Sequence, residues 1–187
     1  MSKIGIGVYI DGSNIYYGGR KAGWQVDYAK LKAFIERKYE IVVINYYNSI
    51  GYQKDEDGKY IKDLNGNYIF NQATLEFEAH LKRINIKVIS KPLKFISGNE
   101  SIASNKLDGD LMIDALIEQN QWDELMLFSG DSDFERLVKQ ISSLSKHVHI
   151  FCFGSRISRE LIMLTRETNL VTYTKLERLK KILERKK

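Results

Sequence analysis

The sequence predicts an α/β protein built on a mainly parallel sheet. Short apolar runs alternate along the chain with amphipathic stretches, which is typical of α/β layering. The first run, 4–10, is apolar at nearly every position, as expected for a central strand that is buried on both faces. With 187 residues, 43% of them hydrophobic and 28% charged, the chain is long enough for one large domain with a substantial core.

Each element is predicted from the spacing of its apolar residues. Leu31, Phe34 and Ile35 lie on one face of a helix for which Asp27 is the expected N-cap. Because parallel strands need crossover connections, we expect the helices to alternate with the strands. The expected strands cover 4–10, 41–47, 86–89, 124–128, 147–153 and 170–173, and the expected helices 27–38, 73–84, 107–119, 134–144, 158–165 and 175–185.

One segment, 51–71, interrupts this alternation. It is polar and contains Asp57-Gly58 and Asn65-Gly66, dipeptides that favour type I′ hairpin turns because both central residues need a positive φ. We therefore expect a β-ribbon or ordered loop beside the sheet, with a mobile surface insertion as the alternative. We identify no internal repeat in the chain.

The net charge of +5 is concentrated at the C-terminus. Residues 175–187 contain seven basic and two acidic side chains, whereas basic and acidic residues balance over 1–174. We expect 1–174 to form one domain and 175–187 a basic amphipathic helix, packed through Leu176, Leu179 and Leu183. Its basic face is then either solvated or available to a phosphate-rich partner.

Several classes of protein are disfavoured by the composition. The single cysteine, Cys152, can form neither an intramolecular disulfide nor a Cys-based zinc site by itself. No apolar run approaches the ~20 residues that a membrane span needs. The N-terminal residues lack the cleavage site of a signal peptide. We expect a cytoplasmic protein that does not associate with membranes.

Acidic residues follow two of the predicted strands and open a helix. Asp11 ends the first strand, Asp108 starts the helix at 107–119, and Asp131 and Asp133 follow the strand at 124–128. Ligands of open α/β sheets bind at the carboxyl edge of the strands, where these side chains would converge. Like carboxylates held close repel one another unless a cation neutralises them. Oxygen ligands suit Mg²⁺ or Mn²⁺.

Each acidic motif also has a purely structural interpretation. Asp11 could end a strand and cap a short helix, and Ser132 with Glu135 fits a capping box. Asp110 and Asp114 could be solvated or capping residues on one helix face. The local charge nevertheless favours a site, because nine acidic residues and no basic one occur between Asp108 and Glu135.

Three segments together resemble the NYN domain family of the PIN-like nuclease superfamily, most closely its LabA-like branch. They are Val8-Tyr9-Ile10-Asp11-Gly12-Ser13-Asn14-Ile15, Leu107-Asp108 with Asp114-Ala115-Leu116, and Leu127-Phe128-Ser129-Gly130-Asp131-Ser132-Asp133-Phe134. The resemblance spans roughly 4–173. It implies a three-layer α/β/α, PIN-like domain whose acidic residues bind Mg²⁺ or Mn²⁺ and cleave RNA.

The resemblance also implies roles for individual residues. Asp11, Asp108 and Asp131 match the core acids of the family, Asp133 matches a fourth, and Asn14 matches a polar partner. All four aspartates are thus expected to be catalytic and to bind metal. The family often has Lys-Gly-Val-Asp at the central motif, whereas this chain has Asn105-Lys106-Leu107-Asp108. The acid is retained, but the path of the loop before it is left open.

The function expected from these residues is metal-dependent endonucleolytic cleavage of RNA, with single-stranded RNA as the substrate. Asn14 and Ser129 would orient the metal ligands. The sequence is compatible with a homo-oligomer. Expected RNA contacts are the cations Lys106, Arg156 and Arg159 and base-stacking tyrosines Tyr52, Tyr60 and Tyr68, for which cross-strand packing is the alternative.

Two other functions remain open. A protein of the same fold could bind RNA or another protein without catalysis. A small-molecule phosphatase could use Asp11 as its nucleophile, but Ser13 occupies the position where such enzymes have a second aspartate.

Overall fold

A six-stranded parallel sheet forms the centre of the protein. The computed structural model describes residues 3–95, 102–103 and 107–186. The strands are β1 (Ile4–Asp11), β2 (Tyr39–Ile50), β3 (Lys87–Pro92), β4 (Lys94–Phe95), β5 (Ile102–Ala103), β6 (Glu124–Phe128), β7 (Val148–Cys152) and β8 (Val171–Lys175). The order in the main sheet is β3-β2-β1-β6-β7-β8, while β4 and β5 form a separate antiparallel pair.

Helices cover both faces of the sheet. They are α1 (Gly12–Ala22), α2 (Tyr28–Glu36), α3 (Gln72–Arg83), α4 (Asp108–Glu118), α5 (Glu135–Ser143), α6 (Arg159–Glu167) and α7 (Lys180–Leu183). A 3₁₀ turn, Ser132–Phe134, precedes α5. As the sequence predicts, Asp27 caps α2, since its carboxylate accepts hydrogen bonds from the backbone N–H groups of Ala29 and Lys30. No helix within the described residues is long and apolar enough to cross a membrane.

Two hydrophobic clusters, one on each face of the sheet, pack the helices against the strands. Residues Ile6, Val8 and Ile10 of β1 pack with α1, α2 and α3 on one face. Tyr9, which points to the other face, packs with α4, α5 and α6. Because β1 is buried on both sides, its sequence is apolar up to Asp11 at its end. The predicted α/β class and the three-layer α/β/α arrangement are confirmed.

Helix α1 was not predicted as a regular element. Its sequence contains Gly18 and Gly19, which are poor helix formers, and Ile15 is its one large fully buried side chain. The helix is instead stabilised at its start, where the Asp11 carboxylate accepts a hydrogen bond from the backbone N–H of Asn14. This cap and the packing of Gly18 against Phe153 together offset the weak helix propensity of the sequence.

The prediction of one continuous C-terminal helix over 175–185 is wrong. The segment forms a 3₁₀ turn, Leu176–Leu179, followed by the single α-helical turn α7. Leu176 and Leu183 both lie in the core, where each is fully buried. After α7 the backbone N–H of Arg185 donates to the carbonyl of Gln25, which places Arg185 beside the loop between α1 and α2.

The insertion at 51–71 forms a ribbon of isolated antiparallel bridges, but its turns are not type I′. Within the insertion only Gly58 and Gly66 have a positive φ, 81° in each case, whereas type I′ turns also need a positive φ at the preceding residue. The carbonyl of Asp55 accepts from the N–H of Gly58, and the side chain of Asp55 accepts from the N–H of Lys59. These are the three-residue turns in which glycine is the left-handed residue.

The insertion also contains an eight-residue repeat, contrary to the sequence interpretation. Tyr52, Tyr60 and Tyr68 occupy equivalent positions, and their ring centroids lie 5.5–6.4 Å apart. The backbone N–H of the residue after each tyrosine donates to the corresponding residue of another repeat, from 53 to 69, from 61 to 53 and from 69 to 61. The repeat therefore builds a small unit with approximate threefold symmetry around its tyrosine rings.

Candidate active site

A cavity of about 950 Å³ opens at the carboxyl edge of the sheet. Asp11, Asp108, Asp131 and Asp133 all line it, although they come from three separate segments of the chain. This convergence agrees with the expected position of ligand sites in open parallel sheets, because β1 and β6 are neighbours at the centre of the sheet.

Asp11 is the most enclosed of the four acids. It is 9% exposed and caps α1 through the hydrogen bond from Asn14, 3.0 Å long. Its second carboxylate oxygen accepts a 2.9 Å hydrogen bond from the hydroxyl of Ser129, which is itself fully buried. The carboxylate is therefore fixed by contacts from both β1–α1 and the end of β6.

The loop after β6 orients the second acid. The backbone N–H of Asp131 donates to the hydroxyl of Ser129, and the carboxylate of Asp131 accepts from the N–H of Asp133. The side-chain carbonyl of Asn14 accepts a 3.3 Å hydrogen bond from the N–H of Gly130. Asn14 and Ser129 thus join the two acidic loops.

Two glycines allow this close approach. A Cβ on Gly12 would lie 2.5 Å from the hydroxyl of Tyr46, and a Cβ on Gly130 would lie 2.4 Å from the carbonyl oxygen of Arg156. Both distances are too short for any larger residue, so the glycines after Asp11 and before Asp131 are required by packing.

Asp108 is the first residue of α4, and two acidic side chains of this helix accept hydrogen bonds from tyrosines of the sheet. Asp114 accepts a 2.8 Å hydrogen bond from the hydroxyl of Tyr47, and Glu118 accepts a 2.7 Å hydrogen bond from Tyr9. Burial, followed by these hydrogen bonds, raises the pKa of both tyrosines above the usual value, so they act as neutral donors. Asp114 does not line the cavity, and its role is to attach α4.

Burial and a neighbouring carboxylate both disfavour the ionised form of Asp11. Burial raises the pKa of Asp11, and the nearby charge of Asp131 adds to this effect, while hydrogen bonds from Asn14 and Ser129 oppose it. In the part of the chain that the structure describes, no lysine or arginine forms an ion pair with Asp11 or Asp131. Within the same residues, no three His, Cys, Asp or Glu side chains are grouped closely enough to hold a metal ion by themselves.

The residues predicted to contact RNA divide into three groups. Arg156 and Tyr52 line the cavity. Tyr60, Tyr68 and Arg159 do not line the cavity. Tyr60 and Tyr68 lie in the threefold unit, where the ammonium groups of Lys54 and Lys62 are 4.6 Å from the respective ring centroids. Arg159 is exposed at the start of α6. Lys106 lies outside the described residues.

The cavity is also lined by residues that the sequence interpretation did not assign to the site. Among them are Tyr16 and Tyr17 of α1 and Arg185 of the C-terminal segment. A signal for the tyrosines was present, because they follow Asn14 closely enough to share a helix face with the Asp11 motif. No local signal identifies Arg185, which reaches the cavity through the contact of the chain end with Gln25.

Comparisons with known proteins agree with this architecture. The model of the NYN domain family matches residues 5–168. The chain is 28% identical over 160 residues to the low amplitude and bright protein LabA of Synechococcus elongatus, covering 83% of this chain and 77% of that protein. A crystal structure of a protein of unknown function from Vibrio parahaemolyticus has the same fold, with a TM-score of 0.67, 22% identity and 91% of each chain covered.

The family match includes the strand ends that supply Asp11 and Asp131, and it also includes α4 with Asp108. NYN domains are nuclease-like domains with a PIN-like fold. The six-stranded parallel sheet and the position of the acids at its carboxyl edge are consistent with that fold. The chain belongs to the NYN domain family.

Proposed function

We propose that this protein is a metal-dependent endoribonuclease that hydrolyses phosphodiester bonds in single-stranded RNA. The observation that carries the proposal is the convergence of Asp11, Asp108, Asp131 and Asp133 on one cavity. The nuclease-like character of NYN domains supports the same reaction class.

The donor atoms fit Mg²⁺ or Mn²⁺. The described residues that line the cavity offer carboxylate, hydroxyl and amide oxygens, and include neither histidine nor cysteine. Mg²⁺ is usually held by one or two carboxylates, with waters and substrate phosphate completing its coordination. A closed group of three carboxylates is therefore unnecessary. In this proposal Asp11, Asp131 and Asp108 would be the direct ligands, and Asp133 would hold a ligand water or a second ion.

The residues of the chain have separate tasks in the reaction. A bound divalent ion would supply Lewis-acid chemistry, activating a water and neutralising charge on the scissile phosphate. Ser129 and Asn14 hold the acidic loops in register through their hydrogen bonds. Arg156 and Arg185 line the same cavity and offset its negative charge, which favours the approach of a phosphate backbone.

An RNA-cleavage assay tests the proposal. A labelled single-stranded RNA is incubated with the protein in Mn²⁺, in Mg²⁺ and in chelator, beside the variants Asp11→Asn and Asp131→Asn. Asp123→Asn is the matched control, because Asp123 bonds to the backbone N–H of Gly5 at the opposite edge of the sheet. We expect metal-dependent cleavage by the parent and by the control, and a loss of at least about 100-fold in the two site variants.

The same assay separates the alternatives. Cleavage that survives both site substitutions would place the activity elsewhere. RNA binding without cleavage in either metal would favour an inert binding module. Turnover of small phosphate monoesters with none on RNA would favour a phosphatase in which Asp11 is the nucleophile.

A further inference from the structure

One wall of the cavity carries aromatic side chains that the proposed chemistry does not use. Ser13, Asn14, Tyr16 and Tyr17 of α1 all line the cavity. Residues three apart on a helix lie above one another, so Tyr17 follows Asn14 along one face and Tyr16 follows Ser13. The two tyrosines are 48% and 52% exposed, which leaves large aromatic surfaces open beside the acids.

The tyrosines form a compact group with a cation. The guanidinium carbon of Arg156 lies 5.7 Å from the ring centroid of Tyr17, and Tyr16 meets Tyr17 edge-on at 5.3 Å between centroids. Aromatic rings and guanidinium planes are the protein surfaces on which unpaired bases stack. The exposed ends of Tyr16 and Tyr17 therefore provide a surface with the chemistry of a base-binding site.

Tyr17 and Arg156 each lie in a segment that also contacts one of the acids. Asp11 caps α1, and Tyr17 lies six residues further along the same helix, about 9 Å along its axis. The backbone of Arg156 packs directly on Gly130, the residue before Asp131. A phosphate held near Asp11 and Asp131 would thus place a neighbouring nucleotide within reach of the tyrosines.

We propose that Tyr17, supported by Tyr16 and Arg156, binds the base of an unpaired nucleotide next to the phosphate held at the acids. The proposal rests on the function proposed above and specifies how its substrate is selected. A base inside a duplex has both faces covered by its neighbours, so this site selects single strands. Stacking is tolerant of sequence because every base presents an aromatic face.

Binding measurements in the Asp131→Asn protein test the inference. A fluorescently labelled 12-nucleotide single-stranded RNA and the same RNA annealed to its complement are titrated by anisotropy in Mg²⁺. Tyr17→Leu removes the aromatic ring and Tyr17→Phe retains it. Ile117→Ala is the surface control, since Ile117 is 72% exposed on α4 and does not line the cavity. A second RNA carrying 2-aminopurine reports stacking by fluorescence quenching.

The result expected is a loss of about 5- to 150-fold in single-strand affinity for Tyr17→Leu, with little change for Tyr17→Phe. The 2-aminopurine quenching should disappear in Tyr17→Leu only. Unchanged affinity in Tyr17→Leu, or an equal loss for single and double strands, would overturn the stacking role. If the parent protein with Asp131 intact still cleaves RNA, the proposed function survives that outcome. A parent that neither binds nor cleaves RNA would remove both proposals together.

Discussion

Replacing Leu183 with alanine tests whether the C-terminal segment is part of the folded core. Leu183 is fully buried in the hydrophobic cluster that contains Leu31 and Ile35 of α2. Its carbonyl accepts a 2.8 Å hydrogen bond from the backbone N–H of Asp27. The adjacent Ile182 is 39% exposed and provides the matched control.

The magnitude follows from the burial. Truncating a fully buried leucine to alanine costs about 2–5 kcal/mol, because transfer energy is lost and a cavity remains. For a chain of this length, each kcal/mol lowers the melting temperature by about 2–4 °C. We therefore expect Leu183→Ala to melt about 4–20 °C below the parent. Ile182→Ala should cost about 1 kcal/mol or less, since much of its side chain is already in solvent.

Thermal unfolding followed by circular dichroism, with chemical denaturation as a second measure, checks this expectation. Equal and small shifts for the two variants would show that the segment does not belong to the core. Removing every residue after Thr174 deletes both Leu176 and Leu183, at a cost of about 4–10 kcal/mol. That is comparable with the total stability of a domain. The contribution of the tail to RNA binding is thus better measured with Arg185→Gln, which keeps the leucines.

Three further predictions concern buried polar groups. Tyr47→Phe leaves the carboxylate of Asp114 without its 2.8 Å donor and should lower stability by about 1.5–3 kcal/mol in urea denaturation, whereas an unchanged midpoint would mean that α4 is held by packing alone. Burial raises the pKa of the Cys152 thiol to about 12, so about one thiol in 10⁴ is ionised at pH 8. A thiol reagent should therefore label the protein only after it unfolds. Rapid labelling of the native protein would contradict this expectation. The pKa of Asp11 is raised in the folded protein, so in chelator the folded state loses stability as the pH rises above 3.8, the ordinary pKa of an aspartate. Asp11→Asn should therefore have a higher melting temperature than the parent at neutral pH. The two melting temperatures should become equal on acidification. A lower melting temperature for Asp11→Asn at neutral pH would show that the charge of Asp11 stabilises the fold.

Much of the fold was predictable because its signals are local. The run at 4–10 is apolar on both faces, and the helix after Asp27 has a capping residue followed by apolar residues at helical spacing. The acids could be placed together because parallel strands all end at one edge, so that Asp11 and Asp131 converge without any knowledge of side-chain contacts.

Other features depend on contacts between distant residues. Helix α1 contains two adjacent glycines, and its packing on Phe153 of a later segment makes a glycine at position 18 necessary. The threefold unit of the insertion depends on hydrogen bonds that link residues 53, 61 and 69 in a cycle. The eight-residue spacing of Tyr52, Tyr60 and Tyr68 is present in the sequence, but it does not indicate that the three rings meet.

The sequence by itself determined the layer architecture, the family resemblance and the four acids, because periodicity and motif spacing express which faces are buried and where strands end. Only the tertiary structure decided that Ser129 and Asn14 join the acidic loops, that Asp114 attaches α4 to Tyr47, and that the tyrosines of α1 face the cavity. The physical reason is that a hydrogen bond or a shared cavity joins groups far apart in the chain, and no local pattern records which groups the fold brings together.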